Sequence, residues 1–387
     1  MHLATGMARL ETETAFEVLA RAAELQAQGR DIINLGIGQP DFRTPDHVVE
    51  AGIKALRDGH HGYTPTQGIL ALREAVAADI LTRRAVEVDP GNICIMPGGK
   101  PTMYFAIRIF GEPGAEIIYP DPGFPIYRSM IGHTGATPVP MVLREENDFA
   151  FSADDVLDQI TSRTRLIIVN SPGNPTGGVT PRKEVDKLVA GLANWPDVAI
   201  LSDEIYSRML YDGREHVSFL EYPEIRDRVI LLDGWSKTYA MTGWRLGYSV
   251  WPDALLEGAT RLCVNSHSCV NAATQYAGIA ALAGPQGPVD EMMVAFDERR
   301  RVVVPLLNQL PGFRCLEPAG AFYAFPNISG TGIGAKALQA RILEEAGVAT
   351  ISGTSFGLHG GDFIRFSYAN SVENIREAVQ RIGNLLT

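Results

Sequence analysis

Between residues 90 and 250, short apolar runs alternate with segments of helical pattern, and no other feature of the sequence constrains the fold as strongly. Each run is apolar at successive positions and rich in Ile, Val and Leu, which indicates strands with both faces buried. Helices on both faces of a mostly parallel sheet would bury such strands. We therefore predict a three-layer αβα domain, an α/β fold, with strands at Ile93–Met96, Glu116–Tyr119, Arg165–Asn170, Val198–Ser202 and Val229–Leu232. One connecting helix is predicted at Pro181–Trp195, with Thr180 as its cap.

The two ends of the chain follow a different pattern. Residues 12–29 are predicted to form one helix, and the last hundred residues mix helices with short strands. A stretch rich in Gly and Pro around Pro285 and Pro288 is typical of a domain boundary. We predict a large domain of residues 46–284 and a smaller α+β domain built from residues 1–45 and 285–387.

Composition excludes several classes of function. The chain has 387 residues, with 34 basic and 45 acidic side chains and a net charge of -11, so neither a nucleic acid nor an anionic membrane is an expected partner. We find no signal peptide and no apolar run near the roughly 20 residues that span a bilayer, and we expect a cytoplasmic protein. The four cysteines form no CxxC pair and the histidines no HExxH pattern, so no metal site is expected.

Polar clusters follow three of the predicted strands directly, at the edge where such sheets bind ligands. They are Asn170–Gly177, Asp203–Tyr206 and Asp233–Thr238, the last followed by Arg245. A lysine, an acid and a phosphate-binding arginine are what a pyridoxal-phosphate (PLP) site requires. The lysine amine forms a Schiff base with the cofactor aldehyde, which requires a lowered pKa, and the acid keeps the pyridine nitrogen protonated, so that the ring acts as an electron sink.

Three motifs in these clusters resemble those of the class I/II (fold-type I) PLP-dependent aminotransferases, in the bacterial aspartate aminotransferase-like branch. They are Asn174-Pro175-Thr176-Gly177, Asp203-Glu204-Ile205-Tyr206 and the block SKTYAMTGWRLGY at residues 236–248. The resemblance covers nearly the whole chain, from Gly36 to Tyr368. It implies the PLP fold type I architecture and PLP as cofactor.

The resemblance also implies a role for each matching cofactor-binding residue. Lys237 would carry the cofactor and move the substrate proton, and Asp203 would pair with the pyridinium. Tyr206 and Asn174 would bond the ring oxygen O3′, and Phe124 would stack on the ring. The residues that would hold the phosphate are Gly99, Lys100, Ser236 and Arg245, with Tyr63 reaching the phosphate of a neighbouring subunit.

For the substrate, the resemblance implies that Arg365 binds the α-carboxylate, together with Asn174 and the backbone of Gly38. Lys100, Thr12 and Thr14 resemble groups that hold the distal carboxylate of a dicarboxylic substrate, which favours aspartate or glutamate as amino donor. Alanine, aromatic and other neutral donors remain open, because Glu11 and Glu13 could repel an anionic substrate.

The predicted activity is transfer of an amino group from an L-amino acid to a 2-oxo acid by a ping-pong mechanism, in a homodimer with shared sites. The resemblance further implies cis bonds at Asp121–Pro122 and Asn174–Pro175. A carbon–sulfur β-lyase on the same fold is the first alternative. The second is a PLP-binding regulator without turnover, which would carry an N-terminal DNA-binding domain; because the resemblance begins at Gly36, we expect no such domain. A decayed homologue is disfavoured because every position of the site is present.

Overall fold

The computed structural model describes residues 1–12 and 14–387. Glu13, one of the two acidic residues expected to oppose an anionic substrate, lies outside the described residues. The helices are α1 Thr14–Ala27, α2 Asp46–Arg57, α3 Leu70–Arg84, α4 Lys100–Phe110, α5 Ile126–Thr134, α6 Ala153–Gln159, α7 Arg182–Gly191, α8 Trp235–Thr238, α9 Asp253–Ser266, α10 Ala272–Ala283, α11 Gly287–Leu307, α12 Ala335–Glu344 and α13 Val372–Leu386. The strands are β1 Ile33–Asn34, β2 Ile93–Met96, β3 Glu116–Asp121, β4 Thr137–Val142, β5 Thr164–Asn170, β6 Ala199–Asp203, β7 Val229–Gly234, β8 Gly247–Val250, β9 Tyr323–Ala324, β10 Val348–Ala349, β11 Ile351–Ser352 and β12 Ile364–Ser367.

A seven-stranded sheet in the order β2-β8-β7-β6-β5-β3-β4 forms the centre of the molecule. The strands from β7 to β4 in this order pair in parallel, and only β8 runs antiparallel to its two neighbours. The predicted α/β fold with a mostly parallel sheet is thus confirmed. All five predicted strands are present, and β2 has the predicted ends.

Two strands of this sheet were not predicted. Strand β4 reads TPVPMV and lies at the edge, where prolines are tolerated because one side of the strand needs no hydrogen-bond donors. Strand β8 reads GYSV and lies within the block SKTYAMTGWRLGYSV, whose residues were interpreted through their chemistry alone. Neither segment has the plain Ile, Val and Leu composition that identified the others.

Both faces of the sheet are covered by helices, which accounts for the continuous apolar runs. In β5, Leu166 and Ile168 pack into a core with side chains of α4 and α5. The residues that alternate with them, Ile167 and Val169, pack on the opposite face with side chains of α3 and α7. Successive residues of a strand point to opposite faces, so a strand buried on both sides needs apolar residues at every position.

The two ends of the chain meet beside this sheet. Strand β1 pairs in parallel with β10, and β9, β12 and β11 form a small antiparallel sheet. Helix α1 is shorter than the predicted 12–29, and α11 begins at Gly287, within the stretch predicted as a boundary. The domain limits themselves stay a prediction.

The predicted cap at Thr180 is wrong. Helix α7 begins at Arg182, and Pro181 stands at the capping position without a side-chain hydrogen bond. The backbone N–H of Thr180 donates instead to Ser171 Oγ at 3.0 Å, which turns this residue toward the loop after β5. Across the described ranges, no helix is long and apolar enough to cross a membrane, and no group of three or more His, Cys, Asp or Glu residues could hold a metal ion.

Candidate active site

A cavity of about 470 Å³ lies at the carboxyl ends of β5, β6 and β7, where the three polar clusters were expected to meet. They do meet there, because parallel strands end at the same edge of the sheet. The residues predicted to bind the cofactor or the substrate α-carboxylate all line this cavity, with the exception of Tyr63: Gly38, Gly99, Lys100, Phe124, Asn174, Asp203, Tyr206, Ser236, Lys237, Arg245 and Arg365.

Lys237 follows β7 and projects into the cavity from the short helix α8. Its ammonium Nζ donates to the backbone oxygen of Gly38 at 2.5 Å. Desolvation in the cavity, followed by the positive charges of Arg365 and Arg245, lowers the pKa of Lys237 to about 7. A large share of the amine is therefore neutral near pH 7, which is the form that attacks a carbonyl carbon.

Asp203 ends β6 and is buried. Tyr127 Oη donates to its Oδ2 at 2.6 Å, and the backbone N–H of Ile205 donates to its Oδ1 at 3.3 Å. Burial raises the pKa of Asp203 to about 7 although both hydrogen bonds favour the carboxylate. A buried carboxylate gains most from a cation placed against it, so this residue fits a protonated ring nitrogen.

An anion site is built at the start of α4. Gly98 has φ +87°, and a Cβ there would collide with the guanidinium of Arg245, so this turn requires glycine. Arg245 is held by donating from Nη1 to Thr242 O at 2.8 Å and from Nη2 to Pro97 O at 3.3 Å. The Arg245 charge, the Ser236 hydroxyl and the N-terminal end of α4 together suit a phosphate dianion.

Arg365 lies on β12, is buried and lines the cavity. It donates from Nη1 to Asn174 Oδ1 at 2.8 Å and from Nη2 to Gly36 O at 2.5 Å. Its guanidinium carbon lies 4.6 Å from the ring centre of Tyr323 and 4.8 Å from that of Phe356. The guanidinium plane is therefore held in one orientation, as two-point binding of a carboxylate requires.

The loop after β5 brings Asn174 to Arg365. The backbone N–H of Asn174 donates to Asn170 Oδ1 at 3.0 Å. The Asn174–Pro175 and Asp121–Pro122 bonds are both cis, as predicted, and Ser171–Pro172 is a third cis bond.

Lys100 and Phe124 form the side of the cavity nearest α1. The Lys100 ammonium lies 5.4 Å from the ring centre of Phe124 and 5.6 Å from that of Phe16. Thr12 and Thr14 are not among the residues that line the cavity, and their expected contact with a substrate stays a prediction. Thr14 Oγ1 donates to Ser355 Oγ, and Thr12 Oγ1 donates to Glu17 Oε1 at 3.1 Å.

Tyr63 lies between α2 and α3 with a fully solvent-facing side chain, 94% exposed. It does not line the cavity of its own chain. Its expected role in the site of a partner subunit stays a prediction.

Two tyrosines that touch this site were missed from the sequence. Tyr127, the partner of Asp203, stands three residues after Phe124 and so one helical turn away, a spacing that could have identified it. Tyr323 shares a hydrogen bond with Tyr206 at 2.6 Å between the two hydroxyl oxygens. No local pattern links those two residues, which are 117 positions apart in the chain.

Comparison with known proteins gives a consistent assignment. The sequence profile of the family described as aminotransferase class I and II matches residues 30–382. An aspartate aminotransferase of Geobacillus stearothermophilus is 37% identical over 392 residues, spanning 100% of this chain and 99% of the relative. The solved structure of the Thermus thermophilus aspartate aminotransferase with maleate matches with a TM-score of 0.94 at 32% identity, covering 100% of both chains. That of an alanine aminotransferase from Pyrococcus furiosus matches with a TM-score of 0.92 at 31% identity, covering 100% of this chain and 99% of that one.

All three relatives are named aminotransferases, which does not favour the carbon–sulfur β-lyase. The family profile spans most of the chain, and the first relative is similar from end to end. The chain therefore belongs to the class I and II aminotransferase family and is a transaminase.

Proposed function

We propose that this transaminase uses PLP, held by Lys237, to move an amino group from an L-amino acid to a 2-oxo acid by a ping-pong mechanism. The observation that carries the proposal is the amine of Lys237, whose pKa is lowered to about 7 by desolvation and by two arginines. A lysine whose pKa is lowered in this way is suited to forming a Schiff base with an aldehyde.

The donors and charges around the cavity fit each part of PLP. Asp203 suits the pyridinium nitrogen, and Tyr206 and Asn174 suit the ring oxygen O3′. Arg245, Ser236 and the Gly98–Lys100 turn suit the phosphate. When bound, PLP supplies an electron sink that stabilises negative charge at the substrate Cα.

Residues of the protein bind the substrate and transfer its proton. Arg365 binds the substrate carboxylate at two points and, with Asn174, fixes the direction of the Cα–H bond. Lys237 Nζ takes the proton from Cα, which the lowered pKa allows near neutral pH. Asp203 keeps the ring nitrogen protonated throughout.

Aspartate or glutamate is the donor that we propose. The ammonium of Lys100 borders the cavity between two aromatic rings and offers a positive partner for a distal carboxylate. A distal carboxylate can offset the desolvation of that ammonium on substrate binding, whereas an apolar substrate side chain cannot. The relative with bound maleate, a dicarboxylate, supports this choice, whereas the alanine aminotransferase and the apolar wall residues Phe16, Leu19 and Met103 favour a neutral donor.

Steady-state kcat/KM for aspartate, glutamate, alanine, phenylalanine and arginine tests the donor. We expect the two acidic donors to lead, and Lys100→Met to lower kcat/KM for aspartate at least about tenfold more than for alanine, which corresponds to about 1.4 kcal/mol. Arg108→Met is the matched control, because it removes an exposed cation from the same helix outside the cavity. A neutral or basic donor that beats both acidic ones would overturn the proposal. Equal loss for both donors in Lys100→Met would assign Lys100 to the cofactor alone.

We further infer a homodimer in which each chain contributes Tyr63 to the site of the other. Support comes from the exposure of Tyr63, together with the exposed apolar side chains of Leu56 and Leu70 on the flanking helices. An aromatic side chain fully exposed beside other apolar groups is typical of an interaction surface.

A further inference from the structure

A pair of buried tyrosines joins the catalytic cluster after β6 to strand β9. The hydroxyl oxygens of Tyr206 and Tyr323 lie 2.6 Å apart, and their rings pack edge to face at 5.8 Å between centres. Both side chains are buried, with 3% and 1% of their surface exposed. Because the rings are fixed, the two hydroxyl groups have little freedom except for the direction of their protons.

The surroundings of each hydroxyl decide that direction. Among the described residues, the hydroxyl of Tyr323 has Tyr206 as its one hydrogen-bond partner. The guanidinium of Arg365 lies over the Tyr323 ring, but it carries only donors and cannot accept a proton. A Cβ on Gly38 would collide with the same hydroxyl, so the Gly38 backbone lies close against it.

Only one of the two hydroxyl protons can lie between the two oxygens. If Tyr206 donates to Tyr323, it has no proton left for the cofactor, and the Tyr323 proton has no acceptor among these neighbours. If Tyr323 donates to Tyr206, the Tyr206 proton is free to point into the cavity that both tyrosines line with Lys237. The second arrangement satisfies both protons once an acceptor lies in the cavity.

We propose that Tyr323 is a positioning residue that donates to Tyr206 and thereby directs the Tyr206 proton to the ring oxygen O3′ of the bound cofactor. The inference rests on the proposed function, because it needs PLP in the cavity. Hydrogen bonds in such a chain strengthen one another, so Tyr323 makes Tyr206 a better donor without touching the cofactor.

The donation from Tyr323 to Tyr206 should change the pKa of the Lys237 nitrogen, which can be measured. A strong donor to O3′ draws off the negative charge that would otherwise hold a proton on the nitrogen of Lys237 in the cofactor-bound enzyme. The pKa of that nitrogen therefore falls when the tyrosine chain is intact. The charges that also act on this nitrogen are those of Arg365, Arg245, Asp203 and Lys100. They stay the same when only tyrosine hydroxyls are removed.

The experiment is a pH titration of the cofactor absorbance of the holoenzyme in the wild type, Tyr323→Phe, Tyr206→Phe and the double variant. We expect Tyr323→Phe to raise the apparent pKa by roughly half to one unit and Tyr206→Phe to raise it further. The double variant should equal Tyr206→Phe alone, because Tyr323 acts through Tyr206. Tyr211→Phe is the matched control, since this buried tyrosine also lies next to β9 but donates to Ala321 O, away from the cavity. It should lose stability without moving the titration.

Two results would overturn the inference while leaving the proposed function intact. One is a titration of Tyr323→Phe that coincides with that of the wild type. The other is a double variant whose shift equals the sum of the two single shifts, which would mean that Tyr323 acts independently of Tyr206. A wild-type protein that shows no cofactor absorbance would instead overturn the proposed function, and the inference with it.

Discussion

The pKa values of Asp203 and Lys237 are both shifted toward 7 in this cavity, that of Asp203 upward and that of Lys237 downward. Desolvation raises the pKa of Asp203 from its ordinary 3.8 to about 7 and lowers that of Lys237 from 10.5 to about 7. Without a cofactor, the folded chain holds the Asp203 proton between pH 3.8 and 7, where the unfolded chain has lost it. This contribution makes the free energy of unfolding fall as the pH rises through that window. Between pH 7 and 10.5 the unfolded chain alone holds the Lys237 proton, so this second contribution makes the free energy of unfolding rise with pH.

Cofactor-free Lys237→Met is therefore expected to be more stable than the cofactor-free wild type at pH 7. The gain in the free energy of unfolding should be on the order of a few kcal/mol, because each unit by which the pKa of Lys237 is lowered corresponds to about 1.4 kcal/mol. It should shrink as the pH approaches 10.5. Urea unfolding at several pH values measures it, with Lys54→Met as an exposed control that should show no such trend. A gain that is the same at every pH would show that burial of the lysine charge is not its cause.

Asp203 is expected to act through its charge. Asp203→Asn keeps the shape but cannot keep a ring nitrogen protonated, so it should still bind PLP and lose about a thousandfold in kcat, roughly 4 kcal/mol. Asp203→Glu keeps the charge and should lose far less. Single-turnover rates with an excess of amino donor compare the two variants. Equal losses would indicate that Asp203 is needed for its shape at the end of β6.

At the scale of single residues, the sequence predicts those site residues that belong to compact motifs. Lys237, Asp203 and Asn174 stand in such motifs, and all three line the cavity. The hydrogen bond from the Thr14 hydroxyl to Ser355, 341 positions away, was not predicted. Contacts between residues so far apart in the sequence depend on how the small sheet packs on the large one, and no local sequence pattern predicts them.

At the scale of elements, a buried ion cluster links the end of α3 to the ends of β6 and β7. Arg84 donates from Nε to Glu204 Oε2 at 2.9 Å and from Nη2 to Asp233 Oδ2 at 2.7 Å. The charges of His216 and Arg84 lower the pKa of Glu204 to about 2 although its burial acts in the opposite direction. Glu204 follows Asp203 directly and Asp233 precedes Lys237 by four residues, so the cluster holds the backbone that carries both.

Arg84→Met should lower the free energy of unfolding by about 3–5 kcal/mol, because it removes the guanidinium that two buried carboxylates share. Arg83→Met, on the next residue of the same helix, removes only a pair with Asp79 nearer the surface and should cost at most about 1 kcal/mol. Urea unfolding of the two holoenzymes, followed by circular dichroism, provides the comparison. Similar losses in both variants would mean that the cluster adds nothing beyond an ordinary surface pair.

The elements that were predicted best from the sequence are those whose side chains are buried to the same extent along the whole element. Strand β2 (ICIM) and the central LIIV of β5 are buried on both faces and are continuous apolar runs. Strand β4 is partly exposed at the edge and contains two prolines, and its sequence pattern resembles a loop. The other edge strand, β2, is buried along its whole length, so partial exposure rather than edge position makes the sequence of β4 less informative.

At the scale of the whole molecule, the shared-site dimer predicts complementation between two defective chains. In a heterodimer of Lys237→Ala and Tyr63→Ala chains, one site combines an intact Lys237 with an intact Tyr63, and the other site has lost both. At a PLP concentration that saturates only the wild type, this heterodimer should reach about half the wild-type activity, well above either parent homodimer. Two different affinity tags allow its isolation. Activity no higher than that of the better parent, or a fully active monomer by light scattering, would contradict the shared site.

Borohydride reduction of the holoenzyme shows which lysine carries the cofactor, because it converts the link between cofactor and protein into a bond that survives digestion. Peptide mapping by mass spectrometry then locates the modified lysine. We expect one cofactor per chain, on the peptide that contains Lys237, and no modification in Lys237→Ala. Modification of another lysine such as Lys100, or undiminished turnover of amino acids by Lys237→Ala, would contradict it.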